Sequence, residues 1–465
     1  MKNLFKKNDL FKILFLVVLV VTVLTWIIPT GNFSGSVFQE VGLYRISIFD
    51  FFLELFYSAY YMLLQVTFLL ATGCLYGVLS KSKRYSYLVY KIAKKIKGKE
   101  TIFSVGCGLF LAVLASFTAE PLVCILFVPF ILSVLAKNNV SKIKGLCITF
   151  GTILVGTLGI TYGVSALGYT ESSFGLKVSD GLGYKFAFLG ISFVMLMVFT
   201  HMLPKAKKES EVINPRFELV EVKKKESTWP IIIVLSIVAI FAILGYIPWK
   251  SSFNVNFFAD LHTNITTFKI GEHAVFGYLL GSLKAIGEWD LYTISLIIMF
   301  GAFIISLIER IKLDEFLESC VYGAKKMAKP IFIYLMVNCL FVISYWSPIL
   351  PYITNKLIEV GSDFNLFKII LVIFIGSMLM PNKDFMSFTI ANYLAALYAS
   401  NGIVISLVIN SIFGVVQFLL PTSAILMIGL SYLDISYKDY LKNMWKFLLG
   451  LIFIVLILLV IAAYV

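Results

Sequence analysis

Apolar residues along this chain gather into runs of about 20 residues separated by short polar stretches, the length of a helix cut to a ~30 Å hydrocarbon core. The pattern predicts spans over 11–29, 58–80, 145–168, 184–203, 229–248, 291–308, 330–350, 403–432 and 440–465. The alternating strands of about 10 residues that mark outer-membrane barrels are missing. Segment 271–286 is short and amphipathic and belongs at the outer surface. The Lys/Tyr-rich helix over 81–99 reads as an interfacial arm.

Two more apolar regions do not behave as single spans. Region 101–136 is broken at Thr118-Ala119-Glu120-Pro121. Allowing about four residues for the turn leaves arms of about 16 residues, or roughly 24 Å, short of a full crossing. Its flanks, Lys99 and Lys137, both lie in basic loops. A re-entrant hairpin entering from the cytoplasm is therefore expected. Region 369–400 is broken at Pro381-Asn382-Lys383-Asp384 and reads as a second hairpin, opening outward. Irregular backbone at membrane depth is tolerated only where protein buries it or it lines a cavity.

Composition agrees with a polytopic all-α membrane protein. The chain is 60% hydrophobic and 14% charged, against about 45–50% and 25% for soluble domains. A net charge of +13 invites a nucleic-acid reading, but its distribution rejects it. Segments 2–12, 81–100, 137–144, 204–228, 310–329 and 438–446 hold 30 of the 39 Lys and Arg. Basic residues crowd cytoplasmic loops, so the N-terminus is expected inside a bacterial inner membrane. Lys2, Lys6 and Lys7 ahead of an apolar stretch resemble a signal peptide, but no small-x-small cleavage site follows, and the stretch is kept as the first span. The cysteines (Cys74, Cys107, Cys124, Cys147, Cys320 and Cys339) show no paired spacing and read as small core residues.

Residues 204–228 read as a cytoplasmic linker between a first half, 1–203, and a second half, 229–465. Asp50-Phe51-Phe52-Leu53-Glu54 recurs as Asp314-Glu315-Phe316-Leu317-Glu318 at an offset of 264. At 263 the two hairpins and the following spans superpose without a gap. Gly151 then matches Gly414, and Glu120 falls opposite Lys383. Combined with the basic loops, the two halves are inverted, which is the architecture of secondary transporters with broken helices and a midplane site.

Charges inside apolar segments are costly and mark functional sites by default. Glu120, Lys383 and Asp384 all fall at hairpin tips. Either Glu120 and Lys383 pair with each other, or the tip charges bind substrate or a coupling ion. The spans after the hairpins are interrupted as well. Gly151, Gly156, Thr157, Gly159, Thr161 and Gly163 punctuate one; Asn410, Gly414, Gln417, Pro421, Thr422 and Ser423 punctuate the other. Unwound carbonyls suit Na⁺ and half-helix N-termini suit anions, although small residues also serve helix packing. The candidate binding set is Thr118, Glu120, Thr157, Thr161, Asn382, Lys383, Asp384, Gln417, Thr422 and Ser423. No enzyme is expected: His201, His262 and His273 lack metal-ligand spacing, and no nucleophile elbow or phosphate loop occurs.

Pro421-Thr422-Ser423-Ala424-Ile425-Leu426-Met427 and the segment from Lys438 to Gly450 resemble the YfcC-type carriers of the C4-dicarboxylate anaerobic carrier group, in the ion-transporter superfamily. Tyr322-Gly323-Ala324-Lys325-Lys326-Met327 with Pro330, and Thr25-Trp26-Ile27-Ile28-Pro29-Thr30-Gly31, resemble the same group. The resemblance implies inverted repeats, two re-entrant hairpins, an elevator-type movement and a homodimer formed through a scaffold. It also implies substrates among carboxylates, amino acids and arginine/ornithine-type exchangers. Both tips depart from the family pattern, with Glu120 alone at the first and Met380-Pro381-Asn382-Lys383-Asp384 at the second.

The expectation is a secondary transporter, symporter or antiporter, for a small polar organic solute. Tips of mixed sign favour a zwitterionic amino acid, with a C4-dicarboxylate or other carboxylate second and a channel as the reading from another class. No cofactor is called for, Na⁺ and H⁺ both stay open as coupling ions, and the partners are substrate and bilayer, without nucleic acid.

Overall fold

A computed structural model describes residues 9–162, 168–206, 208–222, 224–359 and 363–464. Gly163 and the first three lysines lie outside them. The chain starts with α1 (Asp9–Leu24), a two-stranded hairpin β1 (Thr30–Ser34) and β2 (Val37–Gly42), α2 (Ile48–Tyr61), α3 (Leu63–Lys81) and the amphipathic α4 (Lys83–Ile96). The β-hairpin was not expected. Gly35, at a φ of 59°, makes the tight turn, and Phe33 stacks on Tyr393 with centroids 3.8 Å apart.

The first broken region forms α5 (Glu100–Thr118), a 3₁₀ turn (Pro121–Leu126) and α6 (Val128–Ala136). Its ends return together, since Asn138 Nδ2 donates to the Ala93 carbonyl at 3.2 Å. The arms are unequal rather than matched, since α6 has only nine residues and the turn between them takes up residues 119–127. Ala119 adopts the left-handed conformation at a φ of 53°, so α5 reaches 19 residues, about 28 Å. The next span is α7 (Lys142–Leu146), a π turn (Cys147–Gly151) and α8 (Thr152–Leu158), which breaks at Gly159. Then come α9 (Tyr169–Ser173), α10 (Leu182–Met202), α11 (Trp229–Tyr246), the short α12 (Trp249–Phe253), α13 (Phe257–Thr267) and α14 (Val275–Leu280), and α15 (Leu291–Ile308).

The expected span 330–350 is the end of a longer helix, α16 (Leu313–Trp346), of 34 residues. Pro330 lies buried inside it and does not end it; the Lys326 carbonyl, four residues earlier, accepts from Arg216 instead. After α17 (Leu350–Glu359), the second broken region forms α18 (Leu366–Leu379) and α19 (Lys383–Leu397). Phe364 and Tyr398 meet at its base, 5.7 Å between centroids. The span 403–432 divides into α20 (Gly402–Leu419) and α21 (Ala424–Leu433), and α22 (Tyr437–Tyr464) closes the chain. Among the described residues, eight helical segments are long and apolar enough to cross a membrane.

One group of helices forms around the crossing of α3 and α16, joined by α1, α2, α11 and α15. Glycines allow that crossing: a Cβ on Gly323 would fall 1.9 Å from the Gly73 carbonyl oxygen, the close backbone approach typical of membrane helices. A second group packs α5, α8, α10, α20 and α22, with α18 and α19 on α20. Helix α21 lies against α16 and connects the two.

The basic segments share one face. Arg84 pairs with Glu309 at 3.8 Å, Lys329 with Asp434 at 2.7 Å and Lys326 with Glu218 at 3.6 Å. The stretch 204–228 is packed down rather than free. The Ile213 amide donates to Val140 at 3.0 Å, Phe217 is buried against Tyr76, and Arg216 donates to the carbonyls of Lys326 at 2.6 Å and Ser431 at 2.9 Å.

Candidate functional site

The turn after α5 is a local consequence of Ala119-Glu120-Pro121. Once Ala119 turns left-handed, Glu120 caps the following 3₁₀ turn by accepting from the Leu122 amide at 3.2 Å. Thr118 Oγ donates to the Leu114 carbonyl at 2.7 Å and accepts from the Glu120 amide at 3.3 Å, so it shapes the tip. The other carboxylate oxygen of Glu120 accepts from the Tyr246 hydroxyl at 3.5 Å. Tyr246 ends α11, at the end remote from the basic face.

The break at Gly159 comes to the same tip. Ser116 Oγ donates to the Gly159 carbonyl at 2.5 Å, the Thr161 amide donates to the Ser116 carbonyl at 3.1 Å, and the two hydroxyls lie 3.0 Å apart. Aromatic rings cover this junction: Tyr162 lies 5.1 Å from Phe117 and 5.2 Å from Phe253 of α12. Thr161 is therefore at the tip, whereas Thr157 turns its hydroxyl back onto the Leu154 carbonyl at 2.7 Å.

At the second tip, Asn382 caps α19 by accepting from the Phe385 amide at 2.8 Å. Lys383 and Asp384 begin the helix, both half-buried. Asp384 and Tyr246 both lie within electrostatic reach of Glu120, which brings the two tips together. Among the described residues no ion pair joins Glu120 to Lys383. Instead Lys383 Nζ donates to Asn410 Oδ1 on α20 at 2.8 Å. Ser344 near the end of α16 donates to the Leu379 carbonyl at 3.1 Å and holds this tip from the other helix group.

The break at Pro421-Thr422-Ser423 belongs elsewhere. Tyr440 and Tyr437 of α22 donate to the carbonyls of Phe418 at 2.6 Å and Leu419 at 2.5 Å, toward the basic face. Ser423 caps α21 by accepting from the Leu426 amide at 3.2 Å. Gln417 Nε2 and Thr422 Oγ are buried without a hydrogen-bond partner. Gln417 is seven residues along α20 from Asn410, about 10 Å. The ten candidates thus divide. Thr118, Glu120, Thr161, Asn382, Lys383 and Asp384 are at the tips, while Gln417, Thr422 and Ser423 mark a separate break and Thr157 sits in the helix between.

Sequence reasoning missed Tyr246, Asn410 as the partner of Lys383, and a buried ion pair. Lys185, at the start of the expected span 184–203, is only 3% exposed. It lies 3.5 Å from Glu171, which also accepts from Ser406 Oγ at 2.9 Å. Only a mid-span position would have flagged this pair, and both residues stand near the end of an apolar run.

Two solved transporters match in outline. YdaH of Alcanivorax borkumensis is 11% identical, with 98% of each chain covered and a TM-score of 0.40. MtrF of Neisseria gonorrhoeae, described as illuminating a class of antimetabolite efflux pumps, is 13% identical, with 97% of this chain and 95% of that one covered and a TM-score of 0.38. No relative is found among curated proteins. The family model for the C4-dicarboxylate anaerobic carriers, DcuC, matches residues 8–464. That match supports the carboxylate reading over the amino acid drawn from the mixed tip charges, and it does not single out the YfcC type. Spanning nearly the whole chain, the match shows that this membrane protein belongs to the C4-dicarboxylate anaerobic carrier family of transporters.

Proposed function

We propose that the chain is a secondary transporter moving a C4-dicarboxylate across the bacterial inner membrane by alternating access, with its N-terminus in the cytoplasm. The observation that carries this is Lys383. It is a half-buried cation on the first turn of a 15-residue helix, held out toward α20 by Asn410. Positive charge and the dipole of a helix N-terminus together favour an anionic group. Glu120 and Asp384 are the acids on which a coupling H⁺ or Na⁺ would act.

The inverted-repeat reading gains support from the two helix breaks. Gly159 and Thr422 are 263 apart, the offset that superposes the hairpins. An elevator movement is favoured by where the tips rest. Glu120 meets the far end of α11 and Leu379 the far end of α16, both away from the basic face. This is the arrangement of an outward-open or outward-occluded carrier, and a return stroke would bring the tips toward the basic face.

The test is counterflow in proteoliposomes with labelled succinate. Saturable exchange, competed by fumarate and malate, is expected. Flux that never saturates would establish a channel, and exchange driven by amino acids alone would restore the zwitterion reading.

A further inference from the structure

The tips leave a buried ion pair unexplained. Glu171 and Lys185 form an ion pair at 3.5 Å, each 3% exposed at the side chain. Burying two charges is expensive, and replacing such a pair by apolar residues is often neutral or stabilising. Its presence is therefore weak evidence for stability and calls for another role.

Its location supplies one. Glu171 is on α9, which packs against α19, the helix that Lys383 begins. Tyr169 and Phe388 make that contact with centroids 5.0 Å apart. Glu171 also accepts from Ser406 Oγ, and Ser406 precedes Asn410, the partner of Lys383, by one turn of α20. Four helical residues rise about 6 Å. One turn of α20 thus separates Asn410, the partner of Lys383, from Ser406, which binds the carboxylate partner of Lys185. Lys383 is bound to a neutral amide, and Lys185 is occupied by an internal carboxylate. Glu171 and Lys185 both lie within electrostatic reach of Lys383.

We infer that Lys185 is the second carboxylate anchor of the transport site, and that Glu171 occupies it as a placeholder until a dicarboxylate bridges Lys383 and Lys185. This rests on the dicarboxylate reading above. One carboxylate takes Lys383 and the amides of α19. The other takes Lys185 from Glu171 Oε1, the oxygen that Lys185 and Ser406 share, and leaves Glu171 to Ser406. A four-carbon diacid covers a spacing of one helical turn. A monocarboxylate engages Lys383 alone and leaves the internal pair intact, so the pair discriminates against single charges.

The test measures thermal shifts of the purified full-length protein with succinate and with butyrate. Lys185→Gln should reduce the preference for succinate by about tenfold or more, the usual worth of a hydrogen-bonded charge contact, while butyrate binding stays near its original level. Glu171→Gln should act with the opposite sign. Without ligand the protein melts earlier, because Lys185 is left unpaired, yet the stabilisation by succinate grows. If a single variant fails to fold, the neutral double variant Glu171→Gln/Lys185→Gln serves, and it too should lose the succinate preference. An unchanged succinate-to-butyrate ratio in the variants, with wild type responding to succinate, would leave the pair a purely structural one and overturn the inference. A wild type indifferent to succinate, fumarate and malate would overturn the dicarboxylate reading and this inference with it.

Discussion

Glu120 and Lys383 illustrate how much a single partner decides. Both sit at chain breaks in apolar regions, and the simplest account of two opposite charges there is that they neutralise each other. In the structure each has its own partner, Tyr246 for Glu120 and Asn410 for Lys383. The distinction has a measurable consequence. An isolated pair that loses one member suffers about 3–5 kcal/mol from the charge left behind, and removing both is often nearly neutral. Glu120→Gln and Lys383→Met should each abolish succinate exchange, and the double variant should fold but remain inactive. Recovery of exchange in the double variant would reinstate the ion pair. Arg216 offers a residue-scale test on the basic face. Its guanidinium bonds two carbonyls and covers the Tyr432 ring at 5.0 Å. Charged hydrogen bonds contribute about 1.5–3 kcal/mol each, so Arg216→Ala should lower the melting temperature clearly, whereas Lys208→Ala, on an exposed part of the same stretch, should not.

Between elements, contact depends on the absence of side chains at particular points. Helix α8 approaches α5 through Gly156, where a Cβ would lie 2.5 Å from the Ala112 carbonyl oxygen and 2.6 Å from the Ala115 Cβ. Ser116, one residue further along, then reaches the broken end of α8. Overpacking a well-filled contact costs about 1–3 kcal/mol. Gly156→Ala should therefore destabilise the protein and loosen the first tip, reducing succinate exchange as well as the melting temperature. Gly190→Ala on α10, where nothing lies within 4 Å of the added Cβ, should be neutral or slightly stabilising by helix propensity, about 0.5–1 kcal/mol. Equal effects at the two glycines would show that the close approach of α5 and α8 is not what holds the tip.

For the whole molecule, the distribution of charge and the path of the chain describe the same arrangement. Basic segments separated by hundreds of residues meet on one face, where Val140 binds Ile213 and Lys329 binds Asp434. Asn138 follows α6 at this face, while Asn401 follows α19 at the other, next to the base formed by Phe364 and Tyr398. Single cysteines at these positions, in a background free of other reactive cysteines, should label from opposite sides of the membrane, Asn138→Cys from the cytoplasm and Asn401→Cys from outside. Labelling of both from one side would remove the inverted arrangement and the alternating-access cycle built on it. The stretch 204–228, which spacing alone made a linker, ties α3, α16 and α21 to the loop after α6, so it bridges both helix groups.

Hydrophobic periodicity and the placement of Lys and Arg sufficed for the membrane class, the long apolar helices, the two broken regions and the three tip charges, but not for shorter helices such as α2, α13 and α17. Lipid imposes these features locally: a helix must match a fixed thickness, and an ionisable group inside an apolar run stands out whatever surrounds it. Where the pattern failed, the deciding contacts were distant in the chain. Pro330 reads as a helix start, yet packing carries α16 through it. Residues 30–42 read as a loop, yet Phe33 finds Tyr393. Thr422 and Ser423 read as a break in an apolar span, and only the structure shows that α22 holds it toward the basic face. Nothing in the pattern paired Lys185 with Glu171, which buries it. Tertiary structure alone decided which charge meets which, because hydrogen bonds and ion pairs act over a few ångströms, and sequence spacing does not determine which distant residues come that close.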